Sequence, residues 1–451
     1  MNPRLAGQAL RLVRRRVRWL VRPPAVKGRV PGMFPGGLRV AEDEEEAAVE
    51  AVRDVIRSKR LFRFYGVSPS LRGSKTRELE NAFARRMDTA HALAVNSGTS
   101  ALVCALVGLE IGPGDEVVIP AYTWISTANA VVAVGAVPVV AEVDDSLTID
   151  PADLERKLSP HTKAIVAVHM RGAPARMDVL SELARARGLR LLEDVAQAAG
   201  GSFQGRPLGS IGDAGAFSFQ ISKIMTAGEG GMVTTNDDAV YRRAAMYHDS
   251  AAPPHMGVAA DEWLPGLNLR MSELHAAVLL VQLGRLDRVV ADLRARKRRL
   301  RELLLGRLGA RVTFRTLNDP AGDTGIALIF FLAEPRLAEQ VVSALAKRER
   351  SRFAAVPGRR ALAARLRRPA RLRGLDAAAR QANVVVQRRP VERPPAAGRV
   401  PLGRVPGDDG PAPEGGSRGR EPRASGRAGG ADGVRNGPRR RALALIGRRA
   451  L

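Results

Sequence analysis

Seven short, near-continuously apolar runs recur between residues 91 and 235: HALAV, DEVVIP, VPVVAEV, KAIVAVH, LRLLED, AGAFSF and GMVTT. Stretches of helical periodicity separate several of them, such as TSALVCALVGL and MDVLSELARARG. Strands that are apolar on both sides need cover on both faces, and strands alternating with helices pair mostly in parallel. The pattern predicts an α/β fold: a mostly parallel central sheet between helical layers. Further helices are predicted over EEEAAVEAVRDVIRS and over KTRELENAFARRM, the second with Ser74 as N-cap. A long helix is predicted from Ser272 to Leu305, its second half strongly basic, and ALIFFLAE reads as a strand opening a smaller domain.

The net charge of +26 over 451 residues suggests a nucleic-acid partner until the charge is located. Residues 1–30 carry nine Arg or Lys and no acid, and residues 346–451 carry 27 basic and 8 acidic residues. Residues 31–345 are left with a net charge of −2, so no nucleic acid is expected on the core. The single cysteine, Cys104, excludes an internal disulfide and a cysteine-rich metal site, and in ALVCALVGL it reads as a small buried hydrophobe. No metal is expected. No run approaches about 18 apolar residues, so no membrane span is expected and the cytoplasm is the default location.

Four segments follow. Residues 1–30 form a basic extension, read as disordered or as lying upstream of the true start; an anchor on anionic membrane using Trp19 and Leu20 is the other reading. Residues 31–290 form the large domain and 291–345 a partial small one. Residues 346–451 hold one Lys, one Ile and one Phe and no Thr, Tyr, Trp, His, Met or Cys. Such a composition does not offset ordering entropy. It reads as an unpacked tail produced by out-of-frame translation of G+C-rich coding DNA, with an arginine-rich nucleic-acid arm as the alternative.

Three strings carry candidate chemistry. In FSFQISKIMTAGEGG, Lys223 follows a strand and precedes a Gly-rich turn, where open α/β sheets place their ligands. In EDVAQA, Asp194 ends the apolar run LRLLED. In SGTSAL, Ser97 and Gly98 precede an apolar helix whose first N–H groups point outward, as an anion requires. PAYTWIST adds Trp124 and Tyr122 at a strand end, and VHMRGAP adds His169 and Arg171 at another.

Together and in this order, from about Phe34 to about Leu345, these strings resemble the DegT/DnrJ/StrS family of sugar and cyclitol aminotransferases. The resemblance implies a fold-type-I transferase dependent on pyridoxal 5'-phosphate (PLP). It implies that Lys223 holds the cofactor aldehyde as an imine and later shuttles a proton. Asp194 would keep the ring nitrogen protonated, and Gln197 would bond the phenolic oxygen. Gly98, Thr99, Ser100 and Ser218 would receive the phosphate. Trp124 would stack on the ring, Tyr122 being the second candidate. Asn268, in GLNLRMSELHAAV, would reach the phosphate of a neighbouring subunit, which implies a homodimer; Leu269 departs from the family's usual aromatic there. His169 and Arg171 are the candidates for substrate contact.

The implied reaction moves an amino group from glutamine or glutamate to a keto sugar, nucleotide-linked, or to a keto-cyclitol. PGGLRV, RLFRFYG, HMRGAP, FSFQISK and TGIALIFF lean toward the glutamine-dependent keto-inositol branch. A sugar dehydratase would carry histidine where Lys223 stands. The alternatives from another class are an inactive remnant and a binding protein on the same fold that uses its basic ends.

Overall fold

The computed structural model describes residues 42–63, 74–250, 259–332, 335–347, 353–356 and 384–388. All of them belong to one compact unit, residues 1–392. The basic N-terminal extension and most of the Arg-rich tail lie outside the described residues.

The elements run in this order: α1 (Glu42–Ser58), α2 (Lys75–Met87), β1 (His91–Val95), α3 (Gly98–Gly108), β2 (Glu116–Pro120), α4 (Ile125–Ala133), β3 (Val137–Ala141), α5 (Pro151–Lys157), β4 (Thr162–Val168), α6 (Met177–Arg187) and β5 (Arg190–Asp194). There follow β6 (Ser202–Phe203), β7 (Arg206–Pro207), β8 (Ala214–Ser218), β9 (Gly231–Thr235), α7 (Asp238–His248), α8 (Glu273–Leu308), β10 (Thr313–Phe314), β11 (Leu328–Leu332), α9 (Pro335–Lys347), β12 (Phe353–Val356) and β13 (Val384–Arg388).

All seven apolar runs are strands of one sheet, in the order β1-β9-β8-β5-β4-β2-β3. β8, β5, β4, β2 and β3 pair in parallel, while β9 pairs antiparallel with both β8 and β1. β9 alone therefore runs against its neighbours, and the other six strands end at one edge. Alternate residues feed two cores. On β4, Ile165 and Ala167 enter the core beneath α2 and α8, whereas Ala164, Val166 and Val168 enter the core beneath α3 and α7. The first core centres on Phe83, which meets Phe217 edge-on at 4.9 Å and Phe219 at 5.7 Å. The second contains Cys104, fully buried, its thiol pushed up to about 12 by desolvation.

Local signals set several ends. Ser74 accepts the Arg77 N–H and donates to Glu273, whose carboxylate also takes the N–H groups of Lys75 and Thr76. The first residue of α8 thus caps α2, which joins two predicted helices in a way their spacing does not reveal. α8 runs unbroken across residue 290, the expected end of the large domain.

The second sheet has the order β10-β11-β13-β12. Its two outer members by sequence, Phe353–Val356 and Val384–Arg388, fall within the stretch expected to be unpacked; they pair in parallel with each other, and β13 pairs with β11. A strap of residues 315–327 lies against the edge of the large sheet. The Thr316 N–H bonds the Asp145 carbonyl, Thr324 N–H bonds the Gly172 carbonyl, and Asn318 Nδ2 donates to Pro174 O and Thr148 Oγ1.

Candidate active site

The edge where six strands end collects the predicted residues. Asp194 closes β5 in register with Val168 on one side and Ala216 on the other. Its carboxylate is buried: Oδ2 accepts from Thr127 Oγ1 at 2.8 Å and Oδ1 from the Ala196 N–H at 3.1 Å. Thr127 spends its one hydroxyl hydrogen on Asp194, so in its 2.7 Å bond with Thr123 it is the acceptor. Burial raises the carboxyl above its ordinary range, against the lowering effects of Thr127, Ala196 and the Lys223 ammonium.

Lys223 sits on the loop that returns β8 as the antiparallel β9, half-buried, with its N–H on the Gln220 carbonyl. Desolvation holds its ammonium below the usual lysine range; Asp194 opposes this and Arg171 adds to it. The neutral amine, not the ammonium, is the nucleophilic form, and lowered basicity favours it.

The start of α3 fits an anion. Ser97 caps it, its hydroxyl taking the Ser100 N–H at 3.1 Å and its carbonyl the Ala101 N–H. Neither bond involves the amides of Gly98 or Thr99. Gly98 packs so closely on Ser218, at the end of β8, that a Cβ there would lie 2.5 Å from the Ser218 Cβ. Only glycine lets this helix end approach the strand end. The Ser218 hydroxyl has no hydrogen-bond partner among the described residues and supplies a donor in the same corner. Ser100 departs from expectation: its N–H is held by Ser97 and its hydroxyl donates to Asn96 Oδ1 at 2.6 Å, so it builds the cap rather than offering a donor. Thr99 is exposed, and its hydroxyl donates to Ser126 at 3.1 Å.

Trp124 is 44% exposed at the N-cap of α4, one turn ahead of Thr127. An indole left open beside a buried acid suits a ring that covers it. Tyr122 packs instead into both cores. Gln197 Oε1 accepts the Arg171 N–H at 3.1 Å, which fixes the amide and leaves its NH2 group as the donor for a phenolate. Asn268 is exposed, beside a run where Leu269 O accepts the Asn96 N–H at 2.7 Å.

His169 does not face a substrate. It is fully buried, Nδ1 accepts the Ala175 N–H, and Nε2 therefore carries the hydrogen that it donates to Glu193 at 3.0 Å. Glu193 also accepts from Gly209, Ile211 and Gly212 amides, at 2.9, 2.7 and 2.8 Å. Burial raises this carboxyl, but the bonds from His169 and the amides outweigh it and leave it below its ordinary range. The histidine and glutamate pin the strand ends that carry Asp194. Thr127 is the residue that sequence reasoning missed; its signal was its place one helical turn after Trp124 in PAYTWIST.

These residues fit PLP: an amine of lowered basicity, a buried acid for a cationic ring nitrogen, and a glycine-lined corner of amides and hydroxyl for a phosphate.

The profile of the DegT/DnrJ/EryC1/StrS aminotransferase family matches residues 42–350. The chain is 43% identical over 241 residues to the GDP-perosamine synthase of Caulobacter vibrioides, covering 52% of this chain and 63% of that one. It is 39% identical over 302 residues to the L-glutamine:2-deoxy-scyllo-inosose aminotransferase of Streptomyces kanamyceticus, covering 64% and 68%. Among solved structures, that of 3-amino-5-hydroxybenzoic acid synthase superposes with a TM-score of 0.62 at 32% identity, covering 71% of this chain and 81% of that one. The chain thus spans just under two thirds of the first of these relatives.

Proposed function

The chain belongs to the DegT/DnrJ/EryC1/StrS aminotransferase family, and from that premise we propose that it transfers an amino group from glutamine or glutamate to a ketone on a sugar or cyclitol ring. The observation that carries this is the pairing of Lys223, held below its usual basicity, with the buried Asp194 at one sheet edge. Members of the family depend on PLP. When bound, that cofactor supplies an aldehyde that accepts amino groups and a ring that withdraws electrons from the reacting carbon.

The chain's own residues do the rest. Lys223 Nζ would hold the cofactor through its aldehyde and, once released, would move the proton at the donor and acceptor carbons. Asp194 would keep a proton on the ring nitrogen, and that cation would in turn favour the charged carboxylate that burial disfavours. Gly98, Thr99 and Ser218 anchor the phosphate, Trp124 covers the ring face, and Gln197 donates to its phenolic oxygen. Asn268, exposed and without a side-chain partner among the described residues, serves a second subunit in a homodimer. The relatives' names favour glutamine as donor and a keto-cyclitol as acceptor, with a nucleotide-linked keto sugar as the second reading. A remnant without activity finds no support among them.

The test is reconstitution. The purified chain with PLP should absorb near the imine band, label at one site with borohydride, and form a mass-detected amine from 2-deoxy-scyllo-inosose and L-glutamine. Lys223→Ala should abolish all three. Full labelling of the variant would remove Lys223 from its role.

A further inference from the structure

Buried polar side-chain atoms without a hydrogen-bond partner are rare, because nothing offsets their desolvation. Six such atoms gather at one place among the described residues: Tyr122 Oη, Arg171 Nε, Arg315 Nε and Nη2, Asp323 Oδ1 and Thr324 Oγ1. They come from the segment after β2, the turn after β4 and the strap over both. Their closeness is fixed by contacts. Arg315 Nη1 donates to the Met170 carbonyl at 2.9 Å, beside Arg171. A Cβ on Gly172 would lie 2.1 Å from Thr324 Oγ1. Arg315 also lies within electrostatic reach of Asp323, Asp144 and Arg171, and beside Tyr122.

The set is unbalanced in sign. Arg315 is 6% exposed and keeps two donors unused. Arg171 and Tyr122 each add one. Of the two carboxylates that act on Arg315, Asp323 already gives Oδ2 to Lys297 at 2.6 Å, and Asp144 gives Oδ1 to the Ser146 N–H at 2.8 Å. A forked, cationic, nearly dry set of donors matches the two oxygens of a carboxylate. It also adjoins the reacting amine, since Arg171 acts on the Lys223 ammonium and its N–H fixes Gln197. Arg171 takes a left-handed backbone, φ 56°, which for a non-glycine residue persists only where its surroundings hold it.

We propose that Arg315, with Arg171 and Tyr122, forms the pocket that takes the α-carboxylate of the amino donor. This rests on the aminotransferase reading, for which a donor would present its amine to the cofactor carbon held by Lys223, releasing the lysine amine, while its own carboxylate, one carbon from its amine, is anchored. Arg315 then selects for an amino acid over a simple amine. The rival account is internal: Arg315 turns its free donors to Asp323 Oδ1 and binds nothing.

The experiment uses the PLP-loaded chain. Calorimetric titration with L-glutamine and with its α-carboxamide, with no acceptor present, confines the chemistry to the donor side, and the free acid should bind more tightly. Arg315→Gln should erase that preference and raise the donor KM by about ten- to a hundredfold, with the acceptor KM within twofold. Arg315→Lys should recover part of the loss. Should Arg315→Gln not fold, Tyr122→Phe, which keeps the ring packing, should still raise the donor KM several-fold. An unchanged donor KM in the folded variants, or equal binding of acid and amide by the parent, overturns the proposal in favour of the internal pair. A rise confined to the acceptor KM overturns it too. If the parent binds glutamine with the acid preference yet passes no amino group on, the pocket stands and the functional reading falls. If it transaminates without that preference, the reverse holds.

Discussion

Thr127→Val tests the inference that one hydroxyl governs the acid of the site. In the structure Thr127 Oγ1 donates to Asp194 Oδ2 at 2.8 Å with both side chains buried. The substitution nearly keeps the shape and leaves one carboxylate lone pair dry. Hydrogen bonds to charged groups contribute about 1.5–3 kcal/mol. Losing that bond to the charged form should push the Asp194 carboxyl further up. The sign of the pH effect follows from the direction already set by burial, which holds this carboxyl above its ordinary value. A group raised on folding contributes its stability in full below the unfolded pKa, about 3.9, and loses it as pH rises through the folded value. The valine variant raises the folded value further, so its deficit should be largest at pH 8 and shrink toward pH 4. Thermal unfolding of the cofactor-free chain at several pH values reads this directly. At pH 8 a fall in Tm of several degrees is expected for a deficit of this size. A fall of the same size at every pH would assign the effect to packing and sink the argument.

Asp194→Asn should keep bound PLP, because the phosphate corner is untouched, yet lose turnover by more than about a hundredfold; parental turnover would make Asp194 a turn residue only. His169→Ala should destabilise by about 3 kcal/mol, because it strips a buried partner from Glu193, while both substrate KM values hold; a changed KM at unchanged Tm would restore His169 to substrate contact. Gly172→Ala, at φ 81° and with its Cβ inside the Thr324 hydroxyl, should cost about 2–4 kcal/mol, measured as a denaturant midpoint shift. Cys104, buried with its thiol at about 12, should resist thiol reagents in the native chain and react on unfolding; rapid native labelling would contradict its burial.

Much of the fold was legible in the sequence, because strands buried on both faces must read as continuous apolar runs. HALAV, KAIVAVH and GMVTT needed no tertiary context to be strands, and Ser74 and Ser272 marked helix starts by their side-chain chemistry. Lys223, Asp194, Gly98 and Ser218 were legible for a related reason: they stand at strand ends or a helix start, and an open α/β sheet delivers such ends to one edge. The direction of β9 was not legible, since an apolar run carries no sense of direction. The cap that Glu273 places on α2 was not legible either, being a bond between residues about two hundred positions apart. Ser100, expected at the phosphate, places its N–H on Ser97 and its hydroxyl on Asn96, and His169, expected at the rim, is fully buried against Glu193. Arg315 carried no signal at all, in a chain with arginine throughout. Its place beside Met170 and Tyr122 exists only because the strap folds back over the sheet edge. Sequence fixes residue type and local periodicity; which polar atoms lose water together, and so which find no partner within the chain, is decided by packing between distant segments.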